Sequence, residues 1–141
     1  MQSERNTVQK SSESPKDFSY RRALATARAA IDKKAENVKI LDLTEFSGFT
    51  DYFVVCSGVS SRQVQAIADS VEHALSSQGQ RALSSEGYRD GRWILIDFGD
   101  VVIHVLLDAL RDYYDLETLW ARAPRVQIPS EFYGPAATPL N

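Results

Sequence analysis

Apolar residues recur at helical spacing in two early stretches of the chain, and elsewhere they gather in short runs of strand length. The first helical stretch follows Ser14-Pro15. Ser14 has a side-chain oxygen suited to capping, Pro15 suits the first helical position, and Asp17 stands three residues past the cap. Tyr20, Leu24, Ala27 and Ile31 then fall on one face, within an alanine-rich interior that favours helix. This pattern predicts a helix ending near Ala35. The second stretch opens on Ser60 and Gln63, which have capping-box spacing. It places Val64, Ile67, Val71 and Leu75 on one face, with Gly79 as its stop.

Residues 38–43 form a short run that is β-branched at its start, and residues 44–50 read as a connection. Residues 51–56 are almost all apolar, which predicts a strand covered on both faces. Residues 82–85 make a weak third strand. Gly87 and Asp90-Gly91 supply turn chemistry before a fourth strand at 93–98, and Gly99-Asp100 offers a tight hairpin turn into a fifth at 101–107. A last helix is predicted over 108–120. The strand-helix-strand passage demands a crossover, whereas the final strands need only hairpins. The expected fold class is therefore α/β: a single domain with a mixed five-stranded sheet flanked by helices. It should span residues 15–121, between a flexible arm at 1–14 and an extended tail at 122–141 that carries Pro124, Pro129, Pro135 and Pro139.

Size agrees with one domain. Of 141 residues, about 100 to 110 remain once both ends are set aside, enough for a single hydrophobic core. The longest apolar run, residues 101–107, is interrupted by His104 and falls far short of the roughly 20 residues a bilayer span needs. The first residues carry Glu4, Glu13 and Asp17 and no apolar segment, so neither a secretory signal nor an acid-poor transit peptide is expected, and a cytoplasmic location is. Cys56 is the single cysteine; it reads as a small buried apolar residue in a reducing compartment.

Charge narrows the partners. The formal net charge is −3, and the basic residues (Arg21, Arg22, Arg28, Lys33, Lys34, then Arg81, Arg89 and Arg92) are scattered. Backbone binding to nucleic acid draws most of its affinity from phosphate neutralisation by a basic face, so little or no direct nucleic-acid contact is expected.

Candidate chemistry is thin. Asp97 and Asp100 flank a turn and, with Asp42, could hold a metal for phosphoryl transfer. That chemistry usually takes two carboxylates two residues apart on one strand face, and no such pair occurs. Gly58-Val59-Ser60-Ser61 could offer backbone donors to a phosphate, but alone that is a weak signal and a plain capped helix is the favoured reading. Ser57, Ser60 and Cys56 are nucleophiles by type only, with no spacing that links them to a histidine. His73 should face outward. His104 lies mid-strand on the face of Val102 and Leu106, either as a satisfied, partly buried residue or as the lining of a partner surface. Alternation puts Trp93, Leu95 and Asp97 on one strand face and Ile94, Ile96 and Phe98 on the other. One set builds the core, and the spare set must meet helices or a partner. Tryptophan is over-represented in binding hot spots, so Trp93 is the strongest pointer to an interface, with core packing as the competing reading.

Three ordered blocks carry a family resemblance. The first runs Thr50-Asp51-Tyr52-Phe53-Val54-Val55, then Ser57-Gly58-Val59-Ser60-Ser61-Arg62-Gln63-Val64 and Ile67-Ala68-Asp69. The second is Glu86-Gly87, Trp93, Asp97, Gly99-Asp100-Val101-Val102 and His104-Val105. The third is Tyr114-Asp115-Leu116-Glu117 with Leu119-Trp120. Together, over about residues 20 to 121, they resemble the ribosomal silencing factor RsfS, or Iojap-related, family. The resemblance implies a fold similar to nucleotidyltransferases without the catalytic acidic pair, and no enzyme activity, metal or cofactor. It implies binding to the fourteenth protein of the large ribosomal subunit, on the face that meets the small subunit. Subunit joining would then be blocked and translation repressed when nutrients are short, with a role in large-subunit assembly besides. The partner-binding residues it implies are Trp93, with Leu95, Asp97 and Phe98, and His104, Tyr114 and Glu117 beside them. A homodimer off the ribosome is also expected. The alternative from a different class is a divergent metal-dependent nucleotidyltransferase or phosphohydrolase using Asp97, Asp100 and Asp42.

Overall fold

The computed structural model describes residues 14–46, 48 and 50–134. The elements run α1 (Pro15–Asp32), β1 (Glu36–Asp42), β2 (Tyr52–Gly58), α2 (Ser61–Ser76), β3 (Ser84–Glu86), β4 (Trp93–Asp97), β5 (Val101–Leu107), α3 (Asp108–Tyr114), α4 (Leu116–Leu119), β6 (Arg125–Val126) and a final 3-10 turn at Ser130–Tyr133. The sheet order is β3-β4-β5-β2-β1-β6. Among the described residues only β2 and β5 pair in parallel; the other neighbours are antiparallel. The α/β single domain with a mixed sheet matches expectation, but among the described residues the sheet has six strands rather than five.

Capping chemistry works as read from the chain. Ser14 Oγ accepts from Asp17 N at 3.1 Å, and Ser60 Oγ accepts from Gln63 N at 3.1 Å. Gln63 departs from the simple capping box. Its Oε1 accepts from Val59 N at 2.8 Å, while its Nε2 donates to Lys33 O and Lys34 O, tying the end of α1 to the start of α2. Both helices lie on one face of the sheet. Ala23, Ala27 and Ala30 are fully buried there, and their small side chains let α1 sit close against Val64, Ile67, Val71 and Leu75 of α2 and against Val54, Cys56, Ile94, Ile96, Val101, Ile103 and Val105 of the sheet. Every residue of β2 is buried, as its unbroken apolar run predicts. Cys56 lies deep in this core, where burial pushes its thiol up to about 12.

Two expectations change at the C-terminal end. The predicted helix over 108–120 breaks into α3 and α4 at Asp115, which adopts the left-handed conformation with φ of 45°. Aspartate tolerates that conformation better than most residues, and its Oδ1 takes the amide of Thr118 at 3.4 Å. The segment after Arg122, expected as an extended tail, is laid on the domain. Arg125–Val126 pairs with β1, Asp42 N donates to Pro124 O at 2.8 Å, and Val126 and Ile128 pack on the core under α1. Of the arm expected at 1–14 only Ser14 is among the described residues, and 135–141 lie outside them.

Candidate functional site

Alternation along β4 and β5 divides the sheet into two faces of unequal cover. The first is the face closed by α1 and α2. The second carries Leu41, Leu43, Phe53, Val55, Val102, Leu106 and Ala123, with Trp93, Leu95, Leu110, Leu116 and Trp120 only partly buried around them. Its cover is two short helices and the chain near Trp120. Cross-strand register sets its rows: Leu95 opposite His104 and His104 opposite Val55; Asp97 opposite Val102 and Val102 opposite Phe53; Trp93 opposite Leu106.

Aromatic rings run across this second face in contact. Tyr113 meets Tyr114 at 4.9 Å between centroids, Tyr114 meets Trp93 at 4.6 Å, and Trp93 meets His104 at 5.9 Å. His104 packs edge-on with Phe53 at 4.7 Å, Phe53 meets Trp120 at 5.8 Å, and Trp120 meets Phe46 at 6.3 Å. Such offset and edge arrangements add to the area buried, because each ring has a negative face and a positive rim. The chain of rings surfaces at its two ends, Tyr113 and Phe46, which are 77% and 42% exposed. Beside Trp93 the surface sinks into a hollow of about 340 Å³ lined by Glu86, Gly87, Trp93 and Leu95. Gly87 has φ of +88°, and a Cβ there would come within 2.0 Å of Trp93 O, so only glycine lets the turn press against the start of β4.

The residues singled out from the sequence separate on this map. Trp93, Leu95 and Tyr114 come together at the hollow and its rim. Asp97 shares their face, where its Oδ1 accepts from Gly99 N at 2.7 Å and holds the β4–β5 turn. Phe98 does not join them: it is 5% exposed, on the opposite face, within the core under α2. Its placement follows from strand alternation, which sets it with Ile94 and Ile96.

His104 is 5% exposed beneath Trp93, too deep to line a surface. Its Nδ1 accepts from Trp93 Nε1–H at 3.2 Å. The imidazole is therefore neutral, its own proton on Nε2, which is buried without a partner. Burial pushes its pKa down to about 4. A lowered histidine pKa means that the unfolded chain binds a proton the folded one refuses. Stability is thus fully present above about 6.5, the unfolded value, and is lost as pH falls toward 4. A loss of about 3 kcal/mol over that window is expected by denaturant titration, and His104→Leu should flatten it. An unchanged slope in that variant would mean other groups carry the effect.

Glu117 turns inward rather than toward solvent. With Arg111, which is 5% exposed, it forms a two-nitrogen pair: Arg111 Nε donates to Glu117 Oε2 at 2.9 Å and Nη2 to the same oxygen. Arg111 also donates to Ser57 Oγ at 3.1 Å and Asn37 O at 2.7 Å. Burial alone would raise the Glu117 carboxyl, but the guanidinium outweighs it and holds it below the usual carboxylate range. Glu117 and Arg111 thus fasten α3 and α4 onto the sheet. Phe46 and Tyr113 extend the aromatic chain at both ends and are not singled out by the sequence, because Phe46 lies in a connecting segment and Tyr113 is one of two adjacent tyrosines in a predicted helix.

The acids of the enzymatic alternative are held by other groups. Asp42 Oδ1 accepts from Thr44 N and Oγ1 at 2.9 and 2.6 Å, and Asp100 pairs with Arg22 at 2.7 Å. Among the described residues no three His, Cys, Asp or Glu side chains gather where a metal ion would be held. Nor, among them, is any helix long and apolar enough to cross a membrane.

Residues 16–139 match the family model described as ribosomal silencing factor during starvation. The chain is 46% identical over 100 residues to the ribosomal silencing factor RsfS of Halalkalibacterium halodurans, covering 71% of this chain and 86% of that one. With RsfS of Bacillus subtilis it shares 44% identity over 102 residues, covering 72% and 86%. A crystal structure of a protein from Chromobacterium violaceum superposes with a TM-score of 0.71 at 38% identity, covering 86% of this chain and 98% of that one. On the match over nearly its whole folded length, the chain belongs to the ribosomal silencing factor (RsfS) family.

Proposed function

We propose that the incompletely covered aromatic face is the docking surface of this silencing factor, and that its seat is the fourteenth protein of the large ribosomal subunit. Family membership carries the coarse role: a ribosome-associated regulator that silences translation. The finer reading rests on one observation, an aromatic cluster centred on Trp93 that the domain's own helices leave part-exposed. Half-buried tryptophan and tyrosine at the centre of a patch are the residues that anchor protein interfaces.

Charge favours a basic protein as the seat. From Asp108 to Leu119 the exposed ionic groups are Asp108, Asp112 and Asp115, and the one basic residue, Arg111, is buried against Glu117. Such a rim repels phosphate and attracts a basic protein. Docked on the face that meets the small subunit, a rigid domain obstructs subunit joining by occupying the space. A contribution to large-subunit assembly uses the same contact.

A photoreactive group placed at Tyr113 tests the seat. It should crosslink to the fourteenth large-subunit protein, and added protein should lower the fraction of subunits that join on a sucrose gradient. Crosslinks to ribosomal RNA alone, or undiminished joining at saturation, overturn the proposal. The same apolar face is suited to a second copy of the chain off the ribosome; light scattering over a concentration series reads that equilibrium directly.

A further inference from the structure

We propose that His104 is a positioning residue: its Nδ1 holds the Trp93 indole in the orientation in which the aromatic face docks. The inference rests on the reading of that face as the ribosome-binding surface.

The geometry isolates the bond. Trp93 stands opposite Leu106 and His104 opposite Leu95, so the Nε1–H···Nδ1 contact of 3.2 Å runs diagonally between two rows of the sheet. It turns the nitrogen edge of the indole toward the middle of the sheet. Tyr114 packs on the ring at 4.6 Å, and the Gly87 turn lies against the Trp93 carbonyl. Of the same-face residues in these rows, Leu95, Leu106, Val55, Val102 and Phe53 have no side-chain acceptor, Ser57 is engaged by Arg111 and Asp97 by the Gly99 amide, Glu86 stands on the edge strand, and the acceptor the indole N–H meets is His104 Nδ1. An indole N–H in such surroundings needs a partner, and the imidazole supplies it.

Core packing does not explain a histidine here. With Nδ1 accepting, the proton sits on Nε2, and that nitrogen is buried with no hydrogen-bond partner. A buried unsatisfied donor is rare and unfavourable, and an apolar side chain of similar volume would avoid it. What leucine or phenylalanine cannot provide is the acceptor. The orphaned Nε2 is the cost of placing an acceptor at Nδ1 where it meets the Trp93 N–H.

Paired variants in the full chain test this. His104→Leu removes the acceptor and roughly keeps the volume, while His104→Asn places Oδ1 near the position of Nδ1. In the free protein, nuclear magnetic resonance of the Trp93 indole N–H reads the bond itself. Leucine should speed its exchange with solvent and weaken its contacts to Tyr114, and asparagine should restore both. In co-sedimentation with large subunits, His104→Leu should weaken binding about tenfold and His104→Asn should recover it to within about threefold. In a Trp93→Phe background, which has no N–H to hold, His104→Leu should cost nothing further. A released indole with unchanged binding overturns the proposal. So does binding lost equally in the leucine and asparagine variants while the asparagine indole signal is restored. If His104→Leu does not fold, the asparagine variant and the Trp93→Phe pair decide by the same readouts. If Trp93→Ala binds like the unaltered protein, the docking surface is wrong, and the indole signal still reports whether His104 holds the ring.

Discussion

Trp93→Ala is expected to weaken binding to the large subunit by at least about thirtyfold while leaving the domain folded. The figure corresponds to about 2 kcal/mol, the lower bound for a central tryptophan anchor. The fold should survive because β4 is held from the other side. Ile94 and Ile96 are fully buried in the core under α2, and β4 keeps its backbone pairing with β3 and β5. Trp93 itself is only partly buried, so its truncation costs less than the 3–5 kcal/mol typical of a fully buried tryptophan. The variant leaves Tyr114 without its ring partner and His104 with both nitrogens unpaired, which disorders the surface rather than the core. Circular dichroism should show an unchanged spectrum and a modestly lower melting temperature, against a clear loss of co-sedimentation. A folded Trp93→Ala protein that sediments with large subunits as before removes Trp93 from the interface.

The largest effect on stability is expected from Arg111. Replacing it with methionine keeps much of the volume but leaves the Glu117 carboxylate, the Asn37 carbonyl and the Ser57 hydroxyl without their shared donor. Breaking one side of a buried ion pair costs about 3–5 kcal/mol, and the lower end applies here because solvent partly reaches the Glu117 carboxylate left behind. For a domain of this size that is a drop in melting temperature of roughly 10–20 °C. Glu117→Gln should be milder, since the amide oxygen still accepts from the guanidinium. It also carries a pH signature. Glu117 has a lowered folded pKa, so its contribution is present above 4.5, the unfolded value, and is lost as pH falls through the folded one. The glutamine variant should lack that acid-side loss. The double variant should be less unstable than the two single costs added, because the groups share one bond network. Additive costs, or an Arg111→Met protein as stable as the unaltered one, would show that α3 and α4 are fastened by other contacts.

The two α-helices over one sheet face were legible because their signals are local. A capping serine, a proline at the first turn and apolar residues every three to four positions act within a single element. β2 was legible for the same reason, its apolar run marking burial on both sides. The closing helix was not. Periodicity continues past Asp115, and what breaks it is a long-range demand: Glu117 must reach Arg111, six residues earlier, and on an unbroken helix only residues three or four apart face one another. The sixth strand was missed because two residues have no period. Arg125–Val126 is a strand only through its pairing with β1.

The candidate site divides along the same line. Alternation by itself determined that Trp93 and Leu95 share a face and that Ile94 and Ile96 take the other, since side chains of a strand point up and down in turn. It also placed Phe98 with the second set, which is where the core holds it. Sequence alone could not decide which of the two faces is closed, because that depends on where α1 and α2 dock after a crossover. Nor could it show that His104 is buried under Trp93 rather than exposed beside it, or that Glu117 faces Arg111 rather than a partner. Those outcomes turn on pairings between residues 6 to 54 positions apart, and such distances close only when the sheet has formed.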